Sequence, residues 1–282
     1  MLDQKKIDNI PIELDCELAL IESRVDTSMQ LQKPPTILSV NETTTVVHNK
    51  RIFTLGNFSC ITGKMKAKKT FLVGLFASSV IKGADYNNNF KGELPEEKKL
   101  VVYIDTEQSD YDSNITIRRI EKMAENKEML LAFNLRKFSP KERLNIIEFI
   151  FNKYQSTIGM IIIDGIADLV MKINDEEEAT MVTSMLLKYT AEYNCHACIV
   201  IHENKNNDFA TGHIGSSVMK KAEIIISSTK CKNIKDSSDI ECKFSRGPGF
   251  SPFVMTINEY GYPYVNNKVA VENKEQEPDC PF

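Results

Sequence analysis

No run of this chain approaches the roughly 18 uninterrupted apolar residues that a membrane-spanning helix needs, so a helical membrane protein is not expected. The opening stretch, MLDQKKIDNIPIELD, lacks the apolar core of an export signal. Cysteine is thin and odd in number, seven in 282 residues, which argues against a disulfide framework and for reduced thiols in a cytoplasm. Cys280 stands third from the end, where a prenylation box needs its cysteine fourth. An excess of positive charge is also missing. The 35 lysines and arginines face 39 aspartates and glutamates, for a net charge of −4. A globally basic nucleic-acid coat protein is thereby excluded, whereas a local basic site on a near-neutral body is not. No repeat or low-complexity tract stands out, and 42% hydrophobic with 26% charged residues is an ordinary globular composition.

What the chain does have is alternation. Residues 1–44 read as an N-terminal helix, around Leu14 to Glu22, and a linker containing Pro34-Pro35. Residues 45–270 read as one α/β domain and 271–282 as a flexible polar tail. The segment TVVHNKRIFTL, residues 45–55, predicts two short strands around a polar turn. The apolar runs FSCIT, LVVYID, LLAFNLRKF, MIIIDG and ACIVIHEN then alternate with helices expected over 70–81, 113–127, 140–154 and 176–193. The third helix is opened by Ser139-Pro140-Lys141-Glu142, which supplies an N-cap, a proline at the first helical position and a capping-box glutamate. Continuous apolar strands between helices are covered on both faces. The fold class is therefore α/β, a mainly parallel twisted sheet with helices on both sides. After residue 222, AEIIISSTKC, DIECKFS and PFVMTIN predict antiparallel strands that extend one edge of the sheet.

The most informative segment is Gly63-Lys64-Met65-Lys66-Ala67-Lys68-Lys69-Thr70, between a buried strand and a helix N-terminus. Backbone N–H groups are unpaired there and the helix dipole favours anions. The phosphate-binding pattern G-x-x-x-x-G-K-[ST] is met by Gly63, Lys69 and Thr70, but Lys68 stands where the second glycine belongs. Lys64, Lys66 and Lys68 add charge that offsets part of that loss. As a group, 63–71 are candidate nucleotide-binding residues, with Phe71 opening the helix.

Parallel strands deliver polar residues to the carboxyl edge of such a sheet. LVVYID runs into Thr106-Glu107, MIII into Asp164-Gly165, and CIVI into His202-Glu203-Asn204. Asp164 has the form of the aspartate that holds Mg²⁺ together with Thr70. Glu107 is a candidate for orienting or deprotonating a water, and His202 or Asn204 for sensing a terminal phosphate.

With these residues in view, the chain resembles the RecA-like P-loop ATPases, and within them the branch of the plasmid RepA hexameric helicases and related ATPases of mobile elements. The likeness runs from about residue 45 to 265 and rests on GKMKAKKT, YIDTE, IIIDGIADL, HENKNNDFATGHIGSSVMKKAE and KFSRGP. It implies an ATP- and Mg²⁺-dependent protein with Glu107, His202 and Arg246 in catalysis. It also implies a DNA-facing loop containing Lys205, Asn206, Phe209 and His213, beside a second loop at 168–178. Lys243 and Arg246 would reach a neighbouring subunit's phosphates, in a ring or filament of identical chains. The arginine stands one place later than the usual helicase spacing. Asp175-Glu176-Glu177-Glu178, inside the loop at 168–178, reads instead as a helix start.

Two other readings of these residues stay open. One is a nucleotide-binding regulatory or scaffold module with little hydrolysis, because of the missing glycine. The other is a partition-type ATPase, because Lys64 resembles that family's extra interface lysine. Cys195-His196-Ala197-Cys198 has the spacing of half a zinc site but leads into a buried strand, and no second pair lies close to it. Met181, Met185, Leu186 and Tyr189 fall at helical spacing and predict core positions.

Overall fold

The computed structural model describes residues 16–43, 47–85, 87–204 and 210–266. Two compact units divide the chain, Met1–Lys33 and Pro34–Phe282. In the first, helix α1 (Cys16–Ser23) buries no side chain, and Asp26 accepts hydrogen bonds from the Ser28 amide and hydroxyl. Among the described residues no helix is long and apolar enough to cross a membrane.

The second unit opens with strands β1 (Thr36–Thr43) and β2 (Val47–Thr54), joined later by the short β4 (Phe90–Gly92) in a three-stranded antiparallel sheet of order β2-β1-β4. Two expectations are corrected here. The span read as linker contains β1, whose Ile37, Leu38 and Val40 are buried, and 45–55 supplies one strand rather than two.

The main body alternates strand and helix: β3 (Phe58–Gly63), α2 (Lys69–Lys82), β5 (Leu100–Asp105), α3 (Asp110–Ala124), β6 (Leu130–Asn134), α4 (Pro140–Tyr154), β7 (Ile158–Asp164), α5 (Glu176–Glu192), β8 (His196–His202) and α6 (Gly212–Lys221). Four strands follow: β9 (Ile224–Lys230), β10 (Ser237–Ser245), β11 (Phe253–Ile257) and β12 (Pro263–Val265). The nine-stranded sheet has the order β12-β11-β10-β9-β3-β8-β7-β5-β6. From β9 to β6 all neighbours run parallel, and from β9 outward to β12 they are antiparallel. The expectation of a wholly antiparallel extension is thus corrected at β9, whose Ser59↔Ile224 to Thr62↔Ser227 register with β3 is parallel. Its residues Ile224, Ile225 and Ile226 are all buried, as a strand covered on both faces requires.

Alternate residues of each central strand feed two cores. Val101 and Tyr103 of β5 join α2, α3 and the small sheet, while Val102 and Ile104 join α4, α5 and α6. Burying a side chain such as Ile162 or Ile163 contributes about 1.5–3 kcal/mol each, which fixes the register and therefore where every strand ends. Two helix starts follow their sequence signals. Ser139 and Glu142 form the reciprocal capping box of α4. Asp175 caps α5 by accepting from the Glu178 amide, and Glu178 in turn accepts from the Met171 and Lys172 amides. The acidic run is therefore a helix start. Leu186 and Tyr189 are core as expected, but Met181 is 52% exposed and is not.

At the amino edge of the sheet lies a buried polar group. His196 donates or accepts at both ring nitrogens, to the Ser59 hydroxyl at 2.9 Å and the Thr54 carbonyl at 2.9 Å, and stacks on Phe53 at 4.4 Å. Full burial pushes its pKa down to about 3, so the ring is neutral.

Candidate active site

The carboxyl ends of β3, β5, β7 and β8 meet at one edge because their registers align Gly63 with His202 and Asp105 with Asp164. The loop from Gly63 to Thr70 crosses this edge and opens α2. Gly63 has φ +155, and a Cβ there would lie 2.3 Å from the Ser228 carbonyl oxygen of β9. Glycine at this position is therefore a matter of contact as well as conformation.

The missing second glycine is explained by Lys68 itself. It takes the left-handed conformation that a glycine would, φ 62 and ψ 29, and Lys66 does the same at φ 64. Each such lysine costs on the order of 1–3 kcal/mol. The loop is held in place from outside. The Ser228 and Ser238 hydroxyls both donate to the Ala67 carbonyl, and the Lys68 ammonium lies 3.5 Å from Asp236. Left-handed turns of this kind point successive N–H groups into one concavity. The N–H groups of Lys69 and Thr70, in the first turn of α2, have no intrahelical acceptor. Lys68→Val should cost about 1–2 kcal/mol in urea denaturation, because a branched Cβ resists positive φ, whereas Lys68→Gly should stay within about 1 kcal/mol of the parent.

The Lys69 ammonium donates to the Gly63 carbonyl at 2.8 Å, the Lys64 carbonyl at 3.2 Å and His202 Nδ1 at 2.9 Å. Burial lowers its pKa, opposed by Asp164 and Glu107. Since an ammonium can only donate, Nδ1 is the acceptor and the proton of the neutral ring sits on Nε2. That N–H donates to Glu107 Oε1 at 3.2 Å. The hydrogen bond from His202 holds the Glu107 carboxyl below its ordinary pKa.

Across from this chain of contacts, the Thr70 hydroxyl donates to Asp164 Oδ2 at 2.9 Å, and the Tyr103 hydroxyl donates to the same oxygen at 2.7 Å. Burial raises the Asp164 pKa, and these two donors oppose it. With its proton spent on Asp164, the Thr70 oxygen keeps lone pairs for a cation. A hydroxyl and a carboxylate are the hard oxygen donors that Mg²⁺ takes, so the residues fit that ion.

Lys69, Thr70, Glu107, Asp164 and His202 line one cleft of about 350 Å³, with Gln108 and Asp112 on the α3 side. At its rim the Arg119 guanidinium lies 4.1 Å over the Phe71 ring. Met65 is exposed and does not line the cleft.

Three residues of the site were given no role of their own from the sequence. Tyr103 read as one more apolar residue of a buried strand. A buried tyrosine hydroxyl nevertheless needs a partner, and that was the available signal. Thr106 links two strand ends by donating within reach of the Asp164 and Gly165 carbonyls and Asp168 Oδ2. Asp105 Oδ1 accepts the Glu107 and Gln108 amides at 3.0 and 2.9 Å, which sets the turn that carries Glu107.

The structure does not bring every expected residue here. Lys205, Asn206 and Phe209 lie outside the described residues. The His213 amide, in the first turn of α6, donates to the Ile173 carbonyl at 2.8 Å. Lys243 pairs with Glu241, and Arg246 donates to the Lys221 carbonyl. Ser245 pairs with Ile224 at the amino end of β9, so Arg246 sits at the opposite edge of the sheet from its own chain's Lys69. The Cys195–Cys198 segment leads into β8, where His196 is engaged by Ser59 and Thr54.

Comparison with known proteins bears on the same conclusion. A KaiC-like protein from the hyperthermophilic archaeon Pyrococcus horikoshii OT3 superposes with a TM-score of 0.53 at 13% identity, over 76% of this chain and 91% of that one. At that identity the likeness is one of fold. No curated protein matches the chain in sequence. The AAA domain family matches residues 42–208, more than half of the chain and the whole span from β2 through the ends of β5, β7 and β8. The chain belongs to the AAA domain family and has a RecA-like fold.

Proposed function

We propose that this protein is a Mg²⁺-dependent ATPase in which Glu107 activates the attacking water, and that it acts on DNA in the replication or mobilisation of a plasmid or other mobile element. The observation that carries the hydrolytic part is the continuous contact Lys69–His202–Glu107 facing Thr70–Asp164 across one cleft. The DNA part is supported by the RepA-like order of motifs.

In this reading the loop N–H groups and Lys69 hold the β- and γ-phosphates. A phosphate oxygen takes the place of a carbonyl at the ammonium. Thr70 and Asp164 would hold Mg²⁺, which supplies charge neutralisation on the transferring phosphoryl group. Glu107, kept ionised by His202, accepts the proton of a water aligned with the terminal phosphate. His202 reports the arrival of phosphate, because the ammonium it binds changes partners. Arg246 and Lys243 serve a neighbouring copy in a ring or filament. Their position on the far edge of the sheet suits action in trans.

Measured ATP turnover of the parent against Lys69→Ala tests the enzyme claim. Equal, background-level rates in both would remove it. A second reading, a nucleotide-binding regulatory module, is favoured by the full engagement of the Lys69 protons within the protein. Tight binding of ATP in calorimetry without turnover would select it.

The pH profile gives a further check. Glu107 must be ionised to act and its pKa is lowered chiefly by His202, so the acid limb of kcat lies below the ordinary carboxylate range. In His202→Gln the imidazole is gone, and residual activity should lose its acid limb at higher pH than the parent does. An unmoved limb would detach Glu107 from His202.

A further inference from the structure

The chain's net charge is negative, yet lysines crowd one part of the carboxyl edge. The loop after β3 presents Lys64 and Lys66, both exposed. The turn between β9 and β10 presents Lys230, Lys232 and Lys235, also exposed. These two groups are neighbours. β9 pairs with β3 in parallel, so β9 ends on the edge where the loop begins, and β10 returns from there. The Ser238–Ala67 hydrogen bond and the Lys68–Asp236 contact fasten the turn to the loop. The acids of this turn are Asp236, engaged by Lys68, and Asp239, two residues into β10. The cleft carboxylates Glu107 and Asp164 come from β5 and β7, on the other side of β3 in the strand order. The β9–β10 lysines are therefore displaced from the nucleotide cleft, and they do not line it.

We propose that Lys230, Lys232 and Lys235, continuous with Lys64 and Lys66, form a surface that binds the phosphate backbone of a nucleic acid. The inference rests on the DNA-acting reading above and says where that contact lies. The composition of the patch selects the partner class. Protein interfaces draw on arginine and aromatic anchors and are depleted in lysine. Membrane-surface segments add apolar residues to their lysines. Here only Met65 is an exposed large apolar side chain, and Ile234 is half-buried. Lysine is a compact point charge without a planar fork, so the surface reads charge along a backbone and not base identity.

The experiment is fluorescence anisotropy of labelled single-stranded and duplex oligonucleotides with the full chain, over a salt titration. The parent is compared with the triple variant Lys230→Gln, Lys232→Gln, Lys235→Gln. Each phosphate that a lysine no longer neutralises lowers the slope of log affinity against log salt by about 0.9 on duplex or 0.7 on single strands. The triple variant should therefore bind on the order of a hundredfold more weakly at about 100 mM salt, with a slope smaller by roughly two on single strands and roughly three on duplex. Its ATP turnover without nucleic acid should equal the parent's, which shows that it is folded. Undiminished binding by the variant overturns the surface and leaves the DNA-acting reading standing. Absence of binding by the parent overturns both. Binding of the parent to phosphatidylserine vesicles but not to oligonucleotides overturns the nucleic-acid assignment.

Discussion

Glu107→Gln lowers the turnover number by about 10²- to 10⁴-fold and leaves nucleotide affinity within a fewfold of the parent. That range is the usual contribution of a positioned general base. The amide is nearly isosteric with the carboxylate and still accepts the His202 N–H, so the geometry of the cleft persists. What is lost is the capacity to take a proton. The backbone of Glu107 is fixed independently, by the Asp105 carboxylate bonded to the Glu107 and Gln108 amides. Single-turnover hydrolysis, with calorimetric titration of ATP beside it, separates the two effects. A loss confined to affinity would move Glu107 from proton acceptor to phosphate ligand. Unchanged turnover would take it out of the chemistry.

Gly63→Ala should destabilise the protein by about 2–4 kcal/mol and abolish nucleotide binding. Two costs combine. An L residue at φ +155 is strained, and its Cβ would press on the Ser228 carbonyl oxygen at 2.3 Å. That oxygen belongs to the backbone of a paired central strand and has little freedom to retreat. Overpacking of this sort costs about 1–3 kcal/mol, and the backbone strain adds to it. Gly261→Ala is the control. Its φ is +81 and nothing lies within 4 Å of the added methyl, so it carries the conformational cost alone. Urea denaturation of the pair therefore isolates the contact between loop and β9. Equal losses at the two positions would show that contact to be slack.

Much of this arrangement was legible in the residues. LVVYID, MIIIDG and ACIVIHEN announced buried parallel strands because an unbroken apolar run has no solvent face to offer. Their final residues then had to share an edge, which brought Glu107, Asp164 and His202 together before any coordinate did. β1 was missed because TILSVNET mixes polar residues into a strand that follows two prolines, and β4 and β12 because three residues carry no period. β9 looked like its antiparallel successors because strand direction is a property of the partner and leaves no mark on IIISS. Lys68 was the hardest to judge. The pattern asks for glycine there, and only the bracing from Ser228, Ser238 and Asp236 shows how a lysine keeps the required turn.

The neutral His196 has a consequence for how the molecule meets acid. Unfolding releases that imidazole into water, where it regains a pKa of about 6.5, so below that value the unfolded chain binds a proton the native one refuses. Through the interval down to about 3, each step of one pH unit withdraws on the order of 1.4 kcal/mol of stability through this ring alone. The Phe53 stack and the Ser59 and Thr54 contacts thus do more than fill a core. They set a lower limit on the pH at which the neighbouring strands, and the cleft at their far ends, stay assembled.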